Sequence, residues 1–194
     1  MASTSPTSEQ ILDCARALIT TGGYNAFSYA DIAAHVGIRK ASIHHHFATK
    51  EDLVRTLVAQ YRAEAVAGLA AIDANVPDPR ARIEYYVGYW RECIATASAP
   101  ICLCALLASE LPVLPEAVAL EVRAHFRMLS AWLATTLERG AGAGAWRLAQ
   151  PATVEAEAFM AAIHGAMLSA RAYADPNAFQ VVSQALLARL AASA

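Results

Sequence analysis

Three consecutive histidines, His44-His45-His46, are the most obvious candidate for chemistry in the sequence. Imidazoles bind transition metals, but one ion needs its ligands on one face. Successive helical residues point about 100° apart, so three neighbours cannot chelate together. The useful spacing is i, i+4, and Ala48 stands where that partner would be. No metal site is expected. A second candidate, Gly140-Ala-Gly-Ala-Gly-Ala, has the composition of a phosphate loop. No strand signal precedes it, so the context that a phosphate loop needs is missing. No Gly-x-Ser-x-Gly, paired-carboxylate cluster or Cys/His/Asp arrangement stands out. His125 and His164 lie on apolar helical segments and read as satisfied polar groups in a core or pocket. Neither an enzyme nor a cofactor is expected.

A different set of residues suits nucleic acid. Arg39, Lys40, Ala41 and Ser42 open a short helical segment that reaches about His46. Long or small polar side chains at a helix N-terminus can reach base edges in the major groove, and small ones let the backbone approach closely. Lys50 sits at the start of the next helix, where its charge joins free backbone N–H groups and suits a phosphate.

These residues need elements to position them. The chain has 194 residues, 57% hydrophobic and 16% charged, enough for one large domain or two small ones with a sizeable core. Strand signals are scarce and nearly every segment reads at helical period, giving an all-α protein of about nine helices. Thr7 or Ser8 is expected to cap the first helix, with Gln10 completing a capping box and Gly22-Gly23 ending it. Ser28 caps a second helix with Asp31 at its third position. Gly37 provides a turn with positive φ, and residues 39–46 follow as a third helix. Residues 28–46 therefore have the dimensions of a helix-turn-helix. Thr49 caps a long helix to about Ile72. Asp78-Pro79 opens another, reaching about Ala97. A short helix over about Ile101–Glu110 comes next. A long one runs to Gly140 and ends in a flexible loop. Pro151 and Pro176 open the last two.

Charge is a weak guide. Residues 1–50 carry Arg16, Arg39, Lys40 and Lys50 against Glu9, Asp13 and Asp31, a balance of plus one. The remainder carries 11 basic and 14 acidic residues, a balance of minus three. The case for DNA rests on motif instead. The segment Met1–Thr7 is polar, and the longest uncharged stretch, Cys93–Ser109, is short for a membrane span and contains Pro100. A soluble cytoplasmic protein is expected, with no membrane partner and with Cys14, Cys93, Cys102 and Cys104 as reduced thiols.

The motif itself is specific. Ile11-Leu12-Asp13-Cys14-Ala15, Gly23-Tyr24, Asp31 through Phe47, and Lys50-Glu51, in that fixed order, resemble the signature of TetR-family transcriptional regulators. The resemblance covers residues 8 to about 58. It implies a DNA-binding domain over 1–50, and an effector-binding and dimerisation domain over 51–194. It also implies Arg39–His46 as recognition helix, with Arg39, Lys40, Ala41, Ser42 and His44 facing operator DNA and Ser28, His45 and Lys50 meeting phosphates. The chain departs from the family pattern in three places. Position 39 is Arg rather than a small polar residue, position 41 is Ala rather than Gly, and position 44 is His rather than an aromatic residue such as Tyr. No Lys or Arg precedes residue 8. Arg39 is open to two readings, a guanine contact or a phosphate contact only.

Beyond residue 52 the resemblance is looser. Cys102-Leu103-Cys104-Ala105-Leu106-Leu107-Ala108-Ser109-Glu110 looks like a TetR subset with a Cys-Leu-x-x-x-Leu-x-x-Glu segment near the effector pocket. Tyr86, Tyr89, Trp90, Cys93, Cys102, Phe126, Trp132, Phe159 and His164 are the expected pocket lining, an apolar group with a few polar handles. A filled core is the alternative for any single member. Cys102 has two readings. Placed in a first helical turn after Pro100, it would be a thiol sensor of electrophiles or oxidants, as in members of this subset. Otherwise it is a small buried hydrophobe. The small residues of the last two helices imply a two-fold four-helix interface through Ala162, Ala166, Met167, Ala170, Phe179, Val182 and Leu186. A homodimer would set two recognition helices on a near-palindrome. The expected function is repression of an operator, relieved by a small-molecule effector. The rivals are an all-helical enzyme and a helical binding protein without a DNA role.

Overall fold

The computed structural model describes residues 6–192, and among these the chain forms nine α-helices, two 3-10 turns and no strand. The helices are α1 (Pro6–Gly22), α2 (Tyr29–Val36), α3 (Lys40–His46), α4 (Lys50–Asn75), α5 (Pro79–Ala95), α6 (Leu103–Ala108), α7 (Glu116–Gly142), α8 (Ala152–Tyr173) and α9 (Asn177–Ala192). The 3-10 turns are Tyr24–Ala26 and Leu111–Val113.

The local signals explain most boundaries. Asp78 accepts from the N–H groups of Arg80 and Ala81, and Pro79 takes the first position of α5, where its missing N–H is no loss. Thr49 Oγ1 accepts from Asp52 N–H at 3.0 Å at the start of α4. The first helix corrects an expectation. It begins at Pro6, so Thr7 and Ser8 lie inside its first turn rather than capping it. The short helix is also trimmed. It begins at Leu103, which leaves Cys102 outside it rather than in its first turn.

The chain folds as two compact units. The first holds the chain through Glu64 together with Leu103–His125; the second holds Ala65–Cys102 and the chain from Phe126 onward. The boundary thus falls inside α4 and α7.

In the first unit, Ile11, Leu12, Ala15 and Ile19 of α1 are buried, as are Ile32, Ile43, Leu53, Leu57 and Val58. Fully burying one such side chain contributes about 1.5–3 kcal/mol. Arg16 pairs with Glu64 at 2.9 Å, and Arg62 with Glu121 at 2.8 Å, both partly exposed. In the second unit, the buried Arg82 clamps the end of α4. Its guanidinium donates to Val76 O at 2.6 Å and Asp73 O at 3.1 Å, and pairs with Asp73 Oδ1 at 3.1 Å. Those carbonyls lack helical partners and carry the negative end of the helix dipole, which a cation satisfies. Trp146 closes the glycine-rich turn, its indole donating to Leu137 O at 2.8 Å.

Candidate functional site

Ser28 organises the start of α2. Its Oγ accepts from Ala30 N–H at 3.2 Å and donates to Asp31 Oδ2 at 2.7 Å; its backbone N–H donates to the same carboxylate at 2.7 Å. These bonds from Ser28 hold the Asp31 carboxyl below the usual carboxylate range. At the other end, Gly37 adopts φ 74° and ψ 30°, and its N–H donates to Ala33 O at 3.0 Å. Arg39 is the extended N-cap residue of α3.

The angle between α2 and α3 is pinned by a side chain. Tyr29 Oη donates to Phe47 O at 3.0 Å, from the first turn of α2 to the end of α3. Burial pushes the Tyr29 phenol up to about 12, with Asp52 adding to it, so it stays a donor. Ile43 is fully buried under α3, which leaves the opposite face outward. Arg39, Lys40, Ala41, His44 and His45 are exposed there, with Ser42 half-buried and Ser28 exposed nearby in sequence at the α2 cap. His44 is held edge-on against the Tyr29 ring at 4.8 Å, and its Nδ1 lies 3.2 Å from Ala48 O. Among the described residues, no group of His, Cys, Asp or Glu is arranged to hold a metal ion.

Lys50 differs from expectation. Its ammonium turns inward, donating to Phe27 O and lying 4.1 Å from the Phe27 ring centroid and 4.8 Å from that of Tyr24. Burial lowers its pKa, opposed by the Asp31 and Glu110 carboxylates. Rather than standing free over the α4 N-terminus, it ties the residue before Ser28 in place.

The expected pocket residues all belong to the second unit. Tyr86, Trp90 and Cys93 share the buried face of α5. Trp132, on α7, lies 5.8 Å from the Tyr86 ring and donates from its indole to Asp73 Oδ2 at 3.2 Å. Phe126 meets His164 edge-on at 5.2 Å, and Phe159 is buried on α8. Tyr89 leaves the group. It is 54% exposed and leans on Trp90 from outside. Cys102 is 1% exposed. One polar atom in this apolar core has no partner at hydrogen-bonding geometry, His164 Nε2. The expectation that His164 is a satisfied core histidine is thereby corrected. Burial, reinforced by Cys102 and opposed by a hydrogen bond from Trp90, pushes the Tyr86 phenol well above its ordinary value.

Two family models match this chain. That for bacterial regulatory proteins of the tetR family covers residues 11–57, and that for the tetracyclin repressor-like C-terminal domain covers residues 79–186. The chain belongs to the TetR family. A TetR-family transcriptional regulator from Agrobacterium tumefaciens is 57% identical, with a TM-score of 0.93 over 95% of this chain and 97% of that one. A TetR transcriptional regulator from Legionella pneumophila is 27% identical, with a TM-score of 0.85 over 98% and 100%. FadR from Bacillus subtilis, in complex with stearoyl-CoA, is 15% identical and shares the fold alone, with a TM-score of 0.76 over 96% and 98%. No curated protein matches.

This TetR-family chain carries a DNA-binding helix-turn-helix on α2 and α3. Its expected dimer residues lie on α8 and α9. Ala166, Met167, Ala170 and Phe179 are buried against their own chain, and Ala162, Val182 and Leu186 are half-buried. The physical reason is that α8 is small-residue-rich on two faces. One packs closely on α9 within the chain. The other, Val154, Ala158, Ala161, Gly165 and Leu168, is exposed at a spacing of i, i+4, i+7, i+11, i+14. Val181, Ala185 and Ala188 form an exposed apolar stripe on α9. Sequence reasoning also missed Tyr29 with Phe47, Asp73 with Arg82, and Glu110 with Tyr24. Only the last left a sequence signal, the glutamate that ends the Cys102–Glu110 segment.

Proposed function

We propose that this TetR-family regulator is a cytoplasmic homodimeric repressor that a small apolar effector releases from its operator. The observation that carries the DNA half is the outward face of α3. Arg39, Lys40, Ala41, His44 and His45 stand exposed on a helix whose other side is locked by Ile43 and by the Tyr29–Phe47 bond. Residues 39–42 and His44 read bases in the major groove; Ser28 and His45 meet phosphates, and Lys50 adds positive charge beside them from its inward seat. Among the described residues, no helix is long and apolar enough to cross a membrane, consistent with a cytoplasmic regulator.

The effector half draws support from His164 Nε2. Buried polar atoms are nearly always paired, so an unpaired one in an aromatic core calls for a polar partner that arrives with a ligand. FadR, of the same fold, binds stearoyl-CoA. The effector acts by filling the core rather than by modifying Cys102, since reactive thiols need access and Cys102 is buried. Dimerisation uses the exposed stripes of α8 and α9, which supply the small residues for close helix approach.

The test is a thermal-shift screen of small apolar compounds, followed by addition of each hit to the protein–operator complex. Hits that raise the melting temperature and weaken operator binding support effector release. Hits that bind without changing operator affinity contradict it, because a ligand shifts a two-state equilibrium only by its differential affinity.

A further inference from the structure

Glu110 closes the Cys102–Glu110 segment, and neither DNA reading nor effector binding has used it so far. Its Oε2 accepts the backbone N–H of Tyr24 at 2.8 Å, across 86 residues of sequence. Tyr24 opens a 3-10 turn whose N-cap is Gly23, which has no side chain to offer. The carboxylate therefore satisfies a donor that the turn leaves orphaned. The approach is close. A Cβ added at Gly23 would lie 2.0 Å from Glu110 Oε1, and Gly23 itself adopts φ 85° and ψ −177°, a conformation that is essentially glycine-only. Glu110 is in turn fixed by its own backbone. Its N–H donates to Leu107 O at 3.0 Å, and its carbonyl accepts from Val113 N–H at 2.9 Å, so it is tied to both α6 and the 3-10 turn that follows.

The contacts continue toward DNA within the same unit. The Tyr24 ring forms one wall of the Lys50 seat, and Lys50 donates to the carbonyl of Phe27, the residue before the α2 cap. We propose that Glu110 is a positioning residue for the DNA-reading head: by capping the Tyr24–Ala26 turn it sets the seat of Lys50 and the start of α2, so that the presentation of α3 depends on where the end of α6 stands. The proposal rests on the DNA-binding reading. It assigns the glutamate of the Cys-Leu-x-x-x-Leu-x-x-Glu segment a mechanical duty in the head.

The experiment compares the full chain with Glu110→Ala and Glu110→Gln. Gln keeps a carbonyl acceptor for Tyr24; Ala removes it. Three quantities are read: hydrogen exchange at the Tyr24 amide, affinity for a selected operator and for scrambled DNA, and the melting temperature. In Glu110→Ala, Tyr24 protection is expected to vanish and operator affinity to fall about tenfold, the scale of one hydrogen bond to a charged group. Binding to scrambled DNA falls by less, through the displaced phosphate contacts alone, the melting temperature is kept, and Glu110→Gln keeps most of both properties. Unchanged operator affinity in Glu110→Ala overturns the proposal. So does a parallel loss of stability and of binding to both DNAs, the mark of general unfolding. If the unmodified chain selects no operator, the regulator reading itself fails, and Tyr24 exchange alone decides the positioning claim. Protection lost in Ala and kept in Gln supports it; protection unchanged in Ala overturns it.

Discussion

At Ser28 a single side chain accepts from Ala30 N–H and donates to Asp31, while its backbone donates to the same carboxylate. Replacing it with Ala removes the cap and is expected to cost about 0.5–2 kcal/mol in denaturant unfolding. The pH dependence follows from Asp31. Its carboxyl is depressed in the folded state by the Ser28 bonds, so its contribution is present above the unfolded value, about 3.9, and is lost as pH falls through the folded one. Unfolding measured across the acid range should therefore show Ser28→Ala less sensitive than the unmodified chain below pH about 4. This box was legible in the sequence because cap and partner are three residues apart. Gly37 was legible for the same reason, as a glycine between two helical segments. Tyr29 and Lys50 were not. Their partners, Phe47 and Phe27, lie 18 and 23 residues away, and both are backbone carbonyls, which leave no trace in residue type.

Helices are read well from periodicity and their faces less well. The apolar spacing of Val118, Val122, Phe126, Leu129, Leu133 and Leu137 predicts the buried stripe of α7; Phe126 is half-buried and the other five are buried. On α8 the same logic is ambiguous. Ala, Gly and Met occur all round the helix, so composition does not say which face meets α9 and which stays outward. The structure separates them, and the separation gives a prediction. Leu168→Glu puts a charge on the exposed stripe and is expected to shift sedimentation from dimer to monomer with the fold retained. Met167→Ala empties a core position and is expected to cost about 2–5 kcal/mol of stability while leaving the dimer intact once folded. Monomers from Met167→Ala and dimers from Leu168→Glu would reverse the assignment.

Across the whole molecule, DNA reading and effector sensing are different physical problems. The head is held by the Ser28–Asp31, Tyr29–Phe47 and Lys50–Phe27 contacts; the core beneath α5 and α8 holds the buried Tyr86 phenol and an unpartnered His164 Nε2. Tyr86→Phe removes a buried hydroxyl whose hydrogen-bond partner is Trp90. Stability should change by no more than about 1 kcal/mol, the scale of one neutral hydrogen bond. Effectors found by screening should bind more weakly to it, with operator affinity in their absence unchanged. A calorimetric titration of both proteins with the same hit makes the comparison. The net charge of −2 adds little long-range attraction to DNA, so binding depends on a few local contacts and on ionic strength. The most direct test of the account is fluorescence anisotropy of the purified protein on its own upstream DNA, with excess scrambled competitor, over a salt series. The account predicts competitor-resistant binding at physiological salt, one dimer per near-palindrome, that weakens as salt rises. Equal affinity for upstream, genome-selected and scrambled DNA would contradict it.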